Sequence, residues 1–238
     1  MLQPIKNIVK KLPIAFTRNQ QYDKQTRLVI KRVCSNNSNC IDIGCHKGEV
    51  MDLILEAAPQ GHHYGFEPIP VLYSALLDKY KNKSCEIFDI ALSNEKGATQ
   101  FNYVISNPAY SGLRKRNYDR NKESDTQITV NTDKLDNIIS SSVKINLIKI
   151  DVEGGELGVL EGARELLKRD RPVVIFEHGL GASEFYGAGP EKIFDLLSSC
   201  GLKISLMKSW LNNEPALDLA SFSDQFYQKK NYYFIAYP

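Results

Sequence analysis

The sequence predicts an α/β fold in which helices cover both faces of a mostly parallel sheet. Short apolar runs recur along the chain and alternate with segments of helical spacing, as in strand–helix–strand units. The first run, Cys40-Ile41-Asp42-Ile43, breaks into Gly44-Cys45-His46-Lys47-Gly48 ahead of a helical stretch. Such a turn lets backbone approach a ligand beside a helix N-terminus. Successive strands also end on polar residues: Asp42 and Gly44, Glu67, Asp89, Asp151, and Glu177-His178. Parallel sheets hold ligands at the carboxyl ends of their strands, so these residues are expected to converge.

The elements follow in order. A helix is expected over 20–34, where Thr26, Leu28, Val29 and Val33 keep helical spacing until Asn36-Asn37-Ser38-Asn39 breaks it. The first strand is 40–44, and a helix runs from 49 to just before Pro59. A strand over 63–66 ends in Glu67-Pro68, and a helix over 70–80 carries proline at its start. Strands are expected over 85–92 and 99–105. Residues 106–124 form a long polar loop of the kind that is often functional. Strands follow over 126–130 and 145–150, then a helix through 167. A strand over 172–176 and a helix over 190–200, closed by Gly201, come next. Strands over 203–207 and 232–237 close the fold, joined by an irregular polar and aromatic connection over 208–230.

With 238 residues, 42% hydrophobic and 24% charged, the chain suits one sizeable domain. Residues 1–36 are read as an N-terminal arm and helix, and 37–238 as the domain. A formal net charge of +2 without a long Lys/Arg run argues against a nucleic-acid partner. The five cysteines, at 34, 40, 45, 85 and 200, form no CxxC pair. They are expected to be small buried hydrophobes in a reducing, cytoplasmic compartment. Residues 1–13 lack the apolar core of a secretory signal, and no transmembrane segment is expected. Ile5, Ile8 and Val9 beside Lys6, Lys10 and Lys11 leave room for weak peripheral membrane association through this arm.

Two cofactor chemistries compete. A nicotinamide dinucleotide calls for GxGxxG or GxxxGxG after the first strand. Here Gly44 and Gly48 give only GxxxG, with His46 and Val50 at the other positions. S-adenosylmethionine has no pyrophosphate and needs only one close backbone approach. Glu67 is then placed to take ribose hydroxyls, and Asp89 to accept from the adenine amino group. The alternatives are an NAD(P)-dependent oxidoreductase and a non-catalytic interaction module that keeps the fold.

Six motifs in series resemble the FkbM-type methyltransferases. They are Asp42-Ile43-Gly44-Cys45-His46-Lys47-Gly48, Phe66-Glu67-Pro68, Ala91-Leu92-Ser93, Leu147-Ile148-Lys149-Ile150-Asp151-Val152-Glu153-Gly154-Gly155-Glu156, Val159-Leu160-Glu161-Gly162-Ala163 and Arg171-Pro172-Val173-Val174-Ile175-Phe176-Glu177. The resemblance covers roughly residues 38–180 in the family's order. It implies a class I methyltransferase fold: a Rossmann-like, mostly parallel seven-stranded sheet with extra strands and a lid-like loop. It also implies S-adenosylmethionine-dependent O-methylation of a saccharide or other polyhydroxyl natural product, so the partner is a small-molecule or glycan acceptor. Asp42, Gly44, Cys45, Gly48, Glu67, Asp89, Ala91 and Asp151 are the expected cofactor residues.

Methyl transfer to a hydroxyl requires alignment of the acceptor oxygen and a group that takes its proton. Asp151 and Glu153 lie two apart at a strand end, and Glu156 about one turn into the next helix. Asp151 is expected at the cofactor's methionine end and Glu153 or Glu156 by the acceptor, although Glu156 also suits a helix N-terminus. His178 is a further candidate base. No metal is expected. Tyr110-Ser111-Gly112-Leu113-Arg114-Lys115-Arg116 reads as a lid whose cations suit a phosphate or carboxylate on the acceptor.

Overall fold

The computed structural model describes residues 17–116, 118 and 123–238. The expectations for the N-terminal arm, and part of those for the loop over 106–124, fall outside these residues.

The first helix, α1 (Arg18–Val33), starts at Thr17, whose hydroxyl accepts from Gln20 N while the Gln20 side chain accepts from Thr17 N. This reciprocal capping box satisfies two otherwise orphaned amides. The strands β1 (Cys40–Ile43), β2 (His63–Phe66) and β3 (Cys85–Phe88) alternate with α2 (Glu49–Ala57) and α3 (Pro70–Tyr80). Next come β4 (Ile90–Leu92), β5 (Gly97–Val104), β6 (Asp125–Asp133), α4 (Leu135–Ile138), β7 (Leu147–Ile150), α5 (Glu156–Glu161) and α6 (Arg164–Asp170). The chain closes with β8 (Val173–Glu177), α7 (Pro190–Ser199), β9 (Lys203–Ser205), α8 (Met207–Leu211), α9 (Leu219–Tyr227) and β10 (Tyr233–Tyr237).

The main sheet has seven strands in the order β3-β2-β1-β7-β8-β10-β9. All neighbours pair in parallel except β10, which is antiparallel to both β8 and β9. Strand alternation sends side chains to two cores. Ile41, Ile43, Ile148, Ile150 and Phe176 enter the core that includes residues of α5, α6, α7 and α9. Cys40, Leu147, Ile175 and Ile235 enter the one formed with α1, α2, α3 and α8. The second core lies beneath the cavity described below.

Several expectations needed correction. The strand expected over 85–92 is two strands. At Asp89 the chain leaves the main sheet, and β4 joins β6 and β5 in a separate three-stranded sheet. The helix expected through 167 breaks at Gly162-Ala163 into α5 and α6, and the first of these must be glycine because a Cβ there would lie 2.1 Å from the Ser93 carbonyl oxygen. The connection over 208–230 contains α8 and α9. Asp218 caps α9 by accepting from Ser221 N at 2.7 Å, and Phe222 and Phe226, one turn apart, are both buried. Among the described residues no helix is long and apolar enough to cross a membrane.

Candidate active site

A cavity of about 820 Å³ opens over the carboxyl ends of the strands, within the range of small-molecule sites. Strand register explains what lines it. Ile43 pairs with Phe66 and Ile150, Ile150 with Phe176, and Glu177 with Tyr233. One step further along, Glu67, Gly44, Asp151, Glu177 and Tyr233 follow one another across one sheet face, and of these Glu67, Gly44, Asp151 and Tyr233 line the cavity. Asp42 and Lys149, direct cross-strand partners, form the row beneath. Residues of α1, including Asn19, Tyr22 and Lys24, supply another wall.

Gly44 adopts φ +80°, and a Cβ there would lie 1.9 Å from the Asp151 carbonyl oxygen. The turn therefore requires glycine for both conformation and space. Its path aims His46 N at Glu67 Oε2 (2.8 Å), while Ile69 N donates to Glu67 Oε1 (3.0 Å). Burial pushes Glu67 up to about 7. Cys45, also buried, donates its thiol to the Asp42 carbonyl oxygen at 3.1 Å. Asp42 is only 2% exposed and its Oδ2 has no hydrogen-bond partner. Burial pushes it up to about 6, against the pull of Lys149.

Lys149 is 4% exposed. Its ammonium donates to Asp151 Oδ2 at 3.0 Å and Tyr233 OH at 3.3 Å, and reaches the Ile150 carbonyl only at 3.5 Å. Tyr233 OH also donates to Asp151 Oδ2. Burial alone would raise Asp151, but Lys149 and Tyr233 outweigh it and hold the carboxyl below the usual range. Asp151 therefore stays ionised. Its neighbour Glu177 is driven well upward by burial and by the Asp151 charge. Glu153, with φ +55°, pairs with Arg116, and burial followed by the Asp151 charge pushes it up to about 8.

Asp42, Gly44, Cys45, Glu67, Ala91, Asp151 and Glu153 all line the cavity. Gly48, Asp89, Glu156 and His178 do not. Gly48 caps α2 in the left-handed region, and a Cβ there would strike the Tyr80 hydroxyl at 2.2 Å. Asp89 is exposed where the chain changes sheets. Glu156 Oε1 accepts from Val152 N at 3.2 Å and Gly154 N at 3.1 Å, so it braces its own turn. His178 follows Glu177 by one residue and so faces the other side of the sheet, stacked on Phe226 and Phe222 at 4.6 and 5.9 Å. There it cannot take a proton from a molecule in this cavity. Alternation would have exposed this from sequence. The same parity also brings in Lys149, two residues before Asp151.

His178 yields a stability prediction instead. Burial holds its ring down to about 4, against 6.5 unperturbed, so the unfolded chain binds the extra proton as pH falls. Its contribution is whole above about pH 6.5 and lost on acidification toward pH 4, costing about 2 kcal/mol by pH 5. Thermal midpoints measured from about pH 7 to pH 5 should fall less steeply in His178→Phe than in wild type. Identical slopes would refute this.

The front of the loop over 106–124 is pinned in place. Asn102 and Gly112 exchange backbone hydrogen bonds at 2.8 and 3.1 Å, and Ser111 Oγ accepts from Val104 N at 2.9 Å. The described cations Arg114, Lys115 and Arg116 are engaged within the protein. Arg114 donates to the Phe185 carbonyl at 3.0 Å, Lys115 pairs with Asp125 at 2.6 Å, and Arg116 pairs with Glu153. This differs from the expectation that they meet an acidic acceptor, since closing the loop uses them.

A sheet of this order, with β10 reversed and a glycine turn after β1, is the class I methyltransferase fold. The family model described as Methyltransferase FkbM domain matches residues 42–204, and the chain belongs to that family of methyltransferases. The crystal structure of methyltransferase FkbM from Methylobacillus flagellatus KT aligns with TM-score 0.51 and 16% identity. The match covers 85% of this chain and 44% of that one, so this chain spans less than half of that protein. The TehB-like SAM-dependent methyltransferase from Corynebacterium glutamicum aligns at TM-score 0.46 and 11% identity, covering 98% and 92% of the two chains. No curated protein matches the sequence. The family uses S-adenosylmethionine generally, and the donor set fits that cofactor. The orphaned Asp42 Oδ2 suits an ammonium, Glu67 suits hydroxyls, and the glycine turn permits close backbone approach.

Proposed function

We propose that this protein transfers the methyl group of S-adenosylmethionine to a hydroxyl of a saccharide or similar polyhydroxyl compound. The observation that carries the reading is the row Glu67, Gly44, Asp151 and Tyr233, with Asp42 beneath it, opening into one cavity. When bound, the cofactor supplies an electrophilic methyl on a sulfonium, itself a good leaving group. Glu67 retains lone pairs for the ribose hydroxyls after accepting from His46 and Ile69. Ile90, Ala91, Leu92 and Phe101 give the adenine an apolar seat. Asp151, kept ionised by Lys149 and Tyr233, orients the acceptor hydroxyl and takes its proton. A weak carboxylate base suffices, because the hydroxyl becomes strongly acidic as its oxygen gains the methyl. The paired Glu153 braces the loop through Arg116, and Tyr22, Asn19 and Lys24 offer aromatic and polar contacts suited to a polyhydroxyl acceptor.

The test is incubation with deuteromethyl-labelled S-adenosylmethionine and a panel of mono- and oligosaccharides, analysed by mass spectrometry. A labelled methyl ether on a sugar oxygen is expected. Labelling confined to nitrogen or carbon acceptors would overturn O-methylation. Glu67→Ala should weaken S-adenosylhomocysteine binding by about 1.5–3 kcal/mol, the loss of hydrogen bonds to a charged group. Titration calorimetry showing wild-type affinity would remove Glu67 from the ribose site.

A further inference from the structure

Cys34 and Cys40 stand at the two ends of a short chain reversal. Cys34 closes α1, its amide donating to the Ile30 carbonyl at 2.9 Å, and Cys40 begins β1. Between them Ser38 N donates to the Ser35 carbonyl at 3.0 Å, and Ser35 N donates back to Ser38 Oγ at 2.9 Å. The reversal is anchored from outside as well. Gln60 N donates to the Asn36 carbonyl at 2.9 Å, and Asn39 N to Asn146 Oδ1 at 3.1 Å. The two sulfurs are thereby held 3.5 Å apart, Cys40 fully buried and Cys34 half-buried. A disulfide requires about 2.05 Å, so closing the bond asks each sulfur to move less than about 1 Å.

The two thiols are not equivalent. Cys34 is the one that a solvent molecule can reach. The hydrogen bond from Cys40 holds the Cys34 thiol below its usual range, against the effect of burial. The same contact, followed by burial, pushes Cys40 upward. A thiolate is the attacking species in disulfide exchange, so the accessible partner is also the more reactive one. The pair joins two elements of the cavity: α1 supplies Asn19, Tyr22 and Lys24 to its wall, and β1 runs on to Asp42 and Gly44.

We propose that Cys34 and Cys40 form a redox-responsive dithiol that takes a low-molecular-weight disulfide, such as glutathione disulfide, as its oxidant and closes to an internal bond clamping α1 to β1. The Cys34 thiolate attacks one sulfur of the oxidant, giving a mixed disulfide and releasing one thiolate. With the Cys34 thiolate consumed, the contact that held the Cys40 proton is gone. Cys40 loses that proton, attacks Cys34 Sγ and expels the second thiolate. Two protein thiols are oxidised by two electrons, one oxidant disulfide is reduced to two thiols, and the two protein protons end on these. Excess thiol reverses both steps. The site is independent of which molecule the cavity holds.

The test is incubation of the 238-residue chain with glutathione disulfide, followed by N-ethylmaleimide in denaturant and cleavage on the N-terminal side of aspartates. Residues 23–41 then form one peptide, bounded by Asp23 and Asp42, that holds Cys34 and Cys40 and no other cysteine. Mass spectrometry should find this peptide unalkylated and lighter by two hydrogens, and alkylated twice after reduction. The oxidised protein should melt about 5 °C higher than the reduced one, because the bond restricts the unfolded chain. Cys40→Ser should retain glutathione on Cys34, and Cys34→Ser should leave Cys40 unmodified. Two alkylated thiols in the treated wild type would overturn the proposal. So would a glutathione adduct that persists on Cys34, or a bridge to Cys45, Cys85 or Cys200. A bond that forms without raising the melting temperature would overturn the clamp. Should either serine variant fail to fold, the wild-type peptide and melting temperature decide the matter alone.

Discussion

Gly44→Val is expected to abolish binding of S-adenosylhomocysteine and to lower thermal stability. Two penalties act together. The φ of +80° is strained for a branched residue, at about 1–3 kcal/mol, and the new Cβ would overlap the Asp151 carbonyl oxygen at 1.9 Å. That oxygen belongs to backbone at the end of β7, so relief requires moving the turn or the strand end. Either shift disturbs the His46–Glu67 hydrogen bond and the position of Asp151. The collision is with the protein itself rather than with a ligand. The effect therefore also appears without ligand, as a lower melting temperature. Calorimetry showing wild-type affinity in a folded Gly44→Val protein would sink this reading of the turn.

The second large effect concerns the proton. With the acceptor identified by the labelling panel, Asp151→Asn should lower kcat by about 10²–10⁴, the usual contribution of a positioned base, and change KM for the acceptor far less. Tyr233→Phe removes one hydrogen bond that holds Asp151 ionised. Because Asp151 loses stability as a charge, its carboxyl should titrate higher, and the acidic limb of the kcat–pH profile should move up. His178→Phe, altered on the opposite face of the sheet, should leave both parameters near wild type. Full turnover in Asp151→Asn, or a large kinetic loss in His178→Phe, would reverse these assignments.

The sheet and its glycine turn were legible because buried parallel strands read as apolar runs and the Asp42–Gly48 turn interrupts one of them. The break at Asp89 was less legible: residues 85–92 alternate acceptably as one strand, and only the pairing of β4 with distant β6 separates them. The helix α9 was hidden in a polar stretch, although Asp218 as a cap and the Phe222–Phe226 spacing were available signals. In the site, residue type identified the acidic strand ends, but strand parity decides which of them share a cavity. Parity keeps Asp151 and Glu177 on one face and sends His178 to the other. Tyr233 joins Asp151 only because β10 runs antiparallel beside β8, a pairing no local pattern announces. Likewise α1, which precedes residues 42–204 matched by the family, lines the cavity through a packing that its own periodicity does not specify.

The most direct measurement of the central claim is equilibrium binding of S-adenosylhomocysteine and NAD to the 238-residue chain, read by calorimetry and by thermal shift. A ligand that binds only the folded state stabilises it, by about 2.7 kcal/mol when present at a hundredfold excess over its Kd. Saturable S-adenosylhomocysteine binding with a raised melting temperature, and no response to NAD, is the predicted result. Tight NAD binding without any response to S-adenosylhomocysteine would contradict it.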